Sequence, residues 1–169
     1  MAEEIVNRIA NNKNLITFDL EDHYPQGERL IFDIKDWLYE GLILREKDFR
    51  KQAESYDWSQ HQNQYVALTC STDAIIPGWA YLLLTSSLIP YTKKIVVGSL
   101  ENLETILYND IISKLDVSSY QDKLLIIKGC ANKPVPEGAY IALIQKLQPV
   151  AKSIMYGEAC SSVPLYKRK

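Results

Sequence analysis

Apolar positions fall into two kinds of run along this chain, and their order sets the expected fold. Tyr65–Thr69 is apolar without alternation, ends at Cys70, and passes through the polar turn Ser71-Thr72-Asp73 into a longer apolar run. A short continuous run, a turn and a longer run is the pattern of a buried strand feeding a helix. The pattern recurs with Lys94–Gly98, Lys123–Lys128 and Ser153–Tyr156 as strands. Helices are predicted between them. One over Pro77–Ile89 is apolar nearly all round, and one after Ser99 carries a stripe of Leu103, Ile106, Leu107 and Ile111. A third, led by Pro136 and Glu137, is faced by Tyr140, Leu143, Ile144 and Leu147 until Pro149 stops it.

The first 64 residues read differently. Ile5, Val6, Ile9 and Ala10 share one face of a short helix over Glu3–Asn11. Leu15–Leu20 and Arg29–Ile34 alternate as half-buried strands do, and they are expected to pair antiparallel across the loop between them. Asp33 or Asp36 is placed to cap a short helix, and Arg45–Tyr56 reads as a charged helix pinned by Phe49, Ala53 and Tyr56. Asp57–Gln64 is polar and joins the two halves. Beyond the strand–turn–helix rhythm, no internal repeat stands out.

Strands alternating with helices require right-handed crossovers and parallel pairing. The expected fold is therefore α/β, three-layered, with a mainly parallel four-stranded sheet in the order 2-1-3-4 and the N-terminal strands added at an edge. It is expected as a single domain over residues 1–169, with 1–64 an N-terminal elaboration and 65–169 the strand–helix core.

Composition narrows the function. Hydrophobic residues make up 47% and charged residues 24%, which is ordinary for a globular chain. A formal net charge of −2 offers no electrostatic case for nucleic acid. No apolar run approaches the roughly 20 residues that cross a bilayer, and the polar, acidic start is unlike a secretory signal. A cytoplasmic protein is expected. The common phosphate-binding, dinucleotide, serine-hydrolase and zinc-protease motifs are all missing.

The chemistry rests on three cysteines. Cys70, Cys130 and Cys160 each follow a predicted strand, and ligands of an open parallel sheet sit at the strands' carboxyl ends. Three converging thiolates suit zinc, or an iron–sulfur cluster with one further ligand. Asp73 and Glu158 are the nearest carboxylates, and His23 and His61 are also available. Free cysteines also pack as small hydrophobes, and Asp73 also suits a helix cap near Ala74. Cys70 is expected to be the most reactive thiol, standing closest to a helix N-terminus.

The pieces IVNRIA, FDIKDWL, GLILREKDFR, YVALTCSTDAIIP, KGCANKPVP and AKSIMYGEACSSVPLYKRK resemble an uncharacterised bacterial family of unknown function over nearly the full length. Genes of that family often lie beside those of the sulfur-mobilisation machinery for iron–sulfur cluster assembly. The resemblance implies an accessory role there, with assembly proteins as partners. The leading expectation is a metal- or cluster-binding accessory protein using Cys70, Cys130 and Cys160 with Asp73 or Glu158. A thiol- or metal-dependent enzyme using Cys70 is one alternative, and a metal-free interaction domain with structural cysteines is the other.

Overall fold

The computed structural model describes residues 12–129 and 131–169. The expected helix over Glu3–Asn11 lies outside them, as does Cys130. The elements are strands β1 (Leu15–Asp19), β2 (Arg29–Asp33), β3 (Tyr65–Thr69), β4 (Lys94–Val97), β5 (Leu124–Lys128), β6 (Ser153–Tyr156) and β7 (Val163–Lys167). The helices are α1 (Glu46–Ser55), α2 (Gly78–Leu88), α3 (Leu100–Ser113) and α4 (Glu137–Leu147), with short 3-10 turns after β1, after β2, before β3 and before β5.

The α/β class and the parallel pairing stand, but the strands build two sheets rather than one. One sheet has four strands in the order β1-β5-β6-β7, and the other has three in the order β2-β3-β4. Only β7 runs antiparallel, against β6. The single sheet ordered 2-1-3-4 is thereby replaced, because β3 and β4 belong to one sheet and β5 and β6 to the other. The two N-terminal strands are edge strands, as expected, but they do not pair with each other. β1 lies parallel to β5 and β2 parallel to β3. The C-terminal segment, for which the sequence predicts no element, is the edge strand β7.

Contacts gather into two compact units: Met1–Pro25 with Thr105–Lys169, and Gln26–Glu104. The sequence reading had placed its internal boundary at residue 64. In chain order the second unit is inserted into the first, so they are called the inserted and the split unit below.

The two units repeat one another. A single constant spacing carries Phe49 to Tyr108, Tyr65–Thr69 to Leu124–Lys128, Pro77 to Pro136, Leu84 to Leu143, Pro90 to Pro149 and Gly98 to Gly157. Structural details follow the same spacing. Asp57 and Asp116 cap equivalent turns through the backbone N–H of Ser59 and Ser118. Asn63 and Asp122 are equivalent non-glycine residues in the left-handed region, with φ of 62° and 57°. The edge strands repeat too: Phe18-Asp19-Leu20 matches Phe32-Asp33-Ile34, and each Asp accepts a backbone N–H two residues on. This duplication escaped the sequence reading because the identical residues are sparse and only their burial and hydrogen bonding make them equivalent.

Each unit has its own core. In the inserted unit Phe32, Ile34, Phe49, Val66, Leu68, Ala80, Leu84 and Leu88 form it. In the split unit Phe18, Leu20, Tyr108, Leu125, Ile127, Ala139, Leu143, Leu147 and Ile154 do. The middle residues of β3 (Val66, Ala67, Leu68) and of β5 (Leu125, Ile126, Ile127) are all buried, which explains why these strands read as unbroken apolar runs. Where the inserted unit has Phe49, the split unit has Tyr108, whose buried hydroxyl donates to the Leu20 carbonyl at 2.9 Å.

Candidate thiol and metal site

In the split unit the loops leaving β5 and β6 start side by side, because these strands are parallel neighbours. The Gly157 N–H donates to the Ile127 carbonyl at 3.0 Å and carries the pairing one residue past β6. Lys128, the last residue of β5, stands between two carboxylates. Its Nζ lies 3.4 Å from Asp19 Oδ2 at the end of β1 and 3.4 Å from Glu158 Oε1 beyond β6. Its pKa is raised, first by the hydrogen bond to Asp19 and then by the charge of Glu158. Strand order β1-β5-β6 puts the cation in the middle.

The loop after β5 starts at Gly129, with φ of +155°. A Cβ there would come within 2.9 Å of the Tyr140 hydroxyl and 3.1 Å of Leu20 Cβ, so the close approach needs glycine. Three residues on, the same loop wraps the Glu21 carboxylate. Glu21 Oε1 accepts the backbone N–H of Ala131, and that of Asn132 at 2.8 Å, while Asn132 Nδ2 donates to Oε2 at 3.4 Å. These bonds lower the Glu21 pKa, that from the Asn132 backbone most of all. The sequence reading missed Glu21. The signal available was the recurrence of Phe-Asp-x-x-Asp, which marks a turn of fixed shape after each edge strand.

A pH dependence follows. A depressed folded pKa means that the clamp contributes above the ordinary glutamate pKa and is lost as pH falls through the lower folded value. The amide resonances of Ala131 and Asn132 should therefore titrate together on the acid side of the normal glutamate range. Titration of both within the normal range would show that Glu21 does not hold this loop.

The predicted site residues do not all come together by strand adjacency. Cys160 is exposed in the turn between β6 and β7, two residues after Glu158. Cys130 follows β5 in sequence and lies outside the described residues. Cys70 follows β3 and belongs to the other sheet, so the strand-end argument links Cys130 with Cys160 only. Nor are the thiols equivalent in the duplication, since Cys70 aligns with Gly129 and Ser71 with Cys130. Among the described residues, no group of three His, Cys, Asp or Glu side chains is arranged to hold a metal ion.

Cys70 is half-buried against the inserted unit's core, with Sγ 3.4 Å from Thr72 Oγ1. Thr72 donates its own hydroxyl proton to the Gly41 carbonyl at 2.8 Å. With that proton committed, the Cys70 S–H is the group left to donate to Thr72. The helix expected near Ala74 begins only at Gly78 behind Pro77, with no side-chain cap. Asp73 is exposed and caps no helix, and Cys70 is not at a helix N-terminus.

The histidines are engaged elsewhere. His61 is buried, not solvated as a loop histidine would be. Its Nε2 lies 2.8 Å from the Tyr56 hydroxyl and its Nδ1 3.0 Å from Gln64 Oε1, so both ring nitrogens are used. His23 stacks on Phe18, with centroids 4.6 Å apart. Lys133 lies over the Tyr24 ring at 5.1 Å. Trp58, Trp79 and Tyr81 pack against the inserted unit's core.

Among the described residues no helix is long and apolar enough to cross a membrane. No curated protein and no solved structure matches the chain. The chain belongs to the family described as protein of unknown function DUF2480, whose model matches residues 3–168.

Proposed function

We propose that this protein is a cytoplasmic accessory factor of iron–sulfur cluster assembly, binding a metal ion or a cluster through the strand-end loops of the split unit. Cys130 and Cys160 are its thiolate ligands and Glu158 its carboxylate. The observation carrying this reading is that the loops after β5 and β6 leave neighbouring parallel strands and are tied by the Lys128–Glu158 ion pair. Two thiolates and one carboxylate leave a coordination position open, as a transfer site requires for the ligand of a receiving protein. Cys70 takes the packing role, which its bond to Thr72 and its contact with the core favour. Its half-buried place against that core also counts against a nucleophilic Cys70, since a reactive thiol is accessible. Asp73 drops out of the ligand set with Cys70, for it sits on the same loop.

Anaerobic purification followed by metal and labile-sulfide analysis tests the reading. Iron with sulfide, or zinc, is expected in the wild type and in Cys70→Ser, and is expected to be lost from Cys130→Ser and Cys160→Ser. A protein that takes up neither zinc nor a reconstituted cluster would refute the proposal, and so would loss of metal in Cys70→Ser alone.

A further inference from the structure

The internal duplication identifies an edge that is covered in one unit and open in the other. In the split unit, β7 pairs antiparallel along β6, and its Tyr166 sits opposite Ile154 and packs against the core. Tyr166 also lies beside Ile144 of α4 and Gln148 just past its end, and Leu165 beside Ile141 and Tyr156. The inserted unit repeats this framework, with Ile95 for Ile154, Val97 for Tyr156, Leu82 for Ile141 and Ile89 for Gln148. Among the described residues, however, β4 is the last strand of its sheet. Val97 is 57% exposed, Ile89 64% and Leu82 70%. A hollow of about 330 Å³ opens between Thr85 and Ile89 of α2 and Lys94 and Ile95 of β4, beside the edge where β7 runs in the other unit.

We propose that β4 pairs antiparallel with β4 of a second copy of this chain about a two-fold axis, so that two inserted units share one continuous sheet. The covered edge in the split unit shows what this framework accepts, namely an extended antiparallel strand with apolar residues on its α-helical face. β4 itself has that pattern, since Ile95 and Val97 lie on the face of Val66 and Leu68. Residues paired across the axis must point to the same face. Centring the axis on Val96 sets Ile95 of one copy against Val97 of the other and Val96 against Val96. Lys94 then lies opposite Gly98, so the two lysines do not meet. The same operation brings Leu82 and Ile89 of the two α2 helices onto one side of the join. Because the pairing is isologous, each copy uses its own β4 once and the assembly closes at two. At the split unit, β7 already covers the equivalent edge and guards its own with Pro164 and Lys167. This inference is independent of the metal reading.

Sedimentation equilibrium on the full chain, alongside the double variant Ile89→Lys/Val97→Lys, tests it. Both positions are exposed, so below the dimerisation concentration the variant should unfold at the same denaturant concentration as the wild type. The wild type should be mostly dimeric at about 100 μM, as a micromolar dissociation constant requires. The variant should associate about tenfold or more weakly, because like charges of the two copies are then brought together in a desolvated strand pair. Amides of β4 should exchange more slowly in the wild type than in the variant. A wild type that stays monomeric at this concentration would overturn the proposal, and so would a variant that dimerises as tightly as the wild type.

Discussion

Replacing Arg29 by Ala should lower the free energy of unfolding by about 3–5 kcal/mol, a cost typical of breaking a buried ion pair from one side. Arg29 grips Glu104 with two parallel bonds, Nε to Oε1 at 2.6 Å and Nη2 to Oε2 at 3.1 Å. The two side chains are only 12% and 7% exposed, so water screens the pair poorly. The guanidinium also lies over the Tyr65 ring, 5.1 Å from its centroid. Removing Arg29 takes away these contacts and leaves less opposite charge beside a buried carboxylate. Arg29→Lys keeps the charge but not the fork, and should fall between wild type and Ala. The double change Arg29→Met/Glu104→Leu should recover most of the loss, because no charge is then buried alone. Chemical denaturation of the four proteins checks this. A loss below about 1 kcal/mol for Arg29→Ala, the range of exposed pairs, would show that the pair is solvated in solution.

The duplication predicts a second large effect, and predicts it twice. Leu84 in α2 and Leu143 in α4 are equivalent, and both are fully buried in their own unit's core. Each Leu→Ala change should cost about 2–5 kcal/mol, from lost burial and the cavity left behind. Leu82 and Ile141, two residues earlier on the same helices, are equivalent and exposed. Their Ala variants should stay within about 0.5 kcal/mol of wild type below the dimerisation concentration. The pattern to look for in thermal or urea unfolding is two costly positions and two silent ones. A costly Leu82→Ala in monomeric protein, or a silent Leu143→Ala, would break the equivalence of the two units.

Strand locations were legible in the sequence, and the reason is burial. β3 and β5 are interior strands, so every middle residue must be apolar, and such runs have few competing readings. Helix faces were legible for the same reason, from Phe49 and Ala53 on α1 to Leu143 and Leu147 on α4. The Asp33 cap was legible because a carboxylate before a turn bonds within two residues of itself. β7 was not legible. It is exposed along most of its length, so its pattern resembles a solvated tail, and its pairing with β6 alone makes it a strand.

Sheet membership was beyond the sequence. Backbone hydrogen bonds carry no side-chain label, and β1 and β2 have nearly the same pattern, so nothing local told either strand whether to join β3 or β5. The strand-end argument for the thiols divides at the same point. Placing Cys130 and Cys160 on adjacent loops needed only β5 and β6 to be parallel neighbours, which the intervening helix implied. Adding Cys70 needed β3 in the same sheet, and it is in the other. Glu21 and Glu104 were missed because their partners lie 111 and 75 positions away.

What the sequence determined by itself about this protein is what short-range physics can encode: which segments are strands or helices, which faces are apolar, where the turns are capped. The tertiary structure alone decided which strands share a sheet, that one α/β unit occurs twice, and which edge is left open among the described residues. Those outcomes depend on pairings between distant residues, where the free energy comes from jointly buried surface rather than from any one segment's pattern.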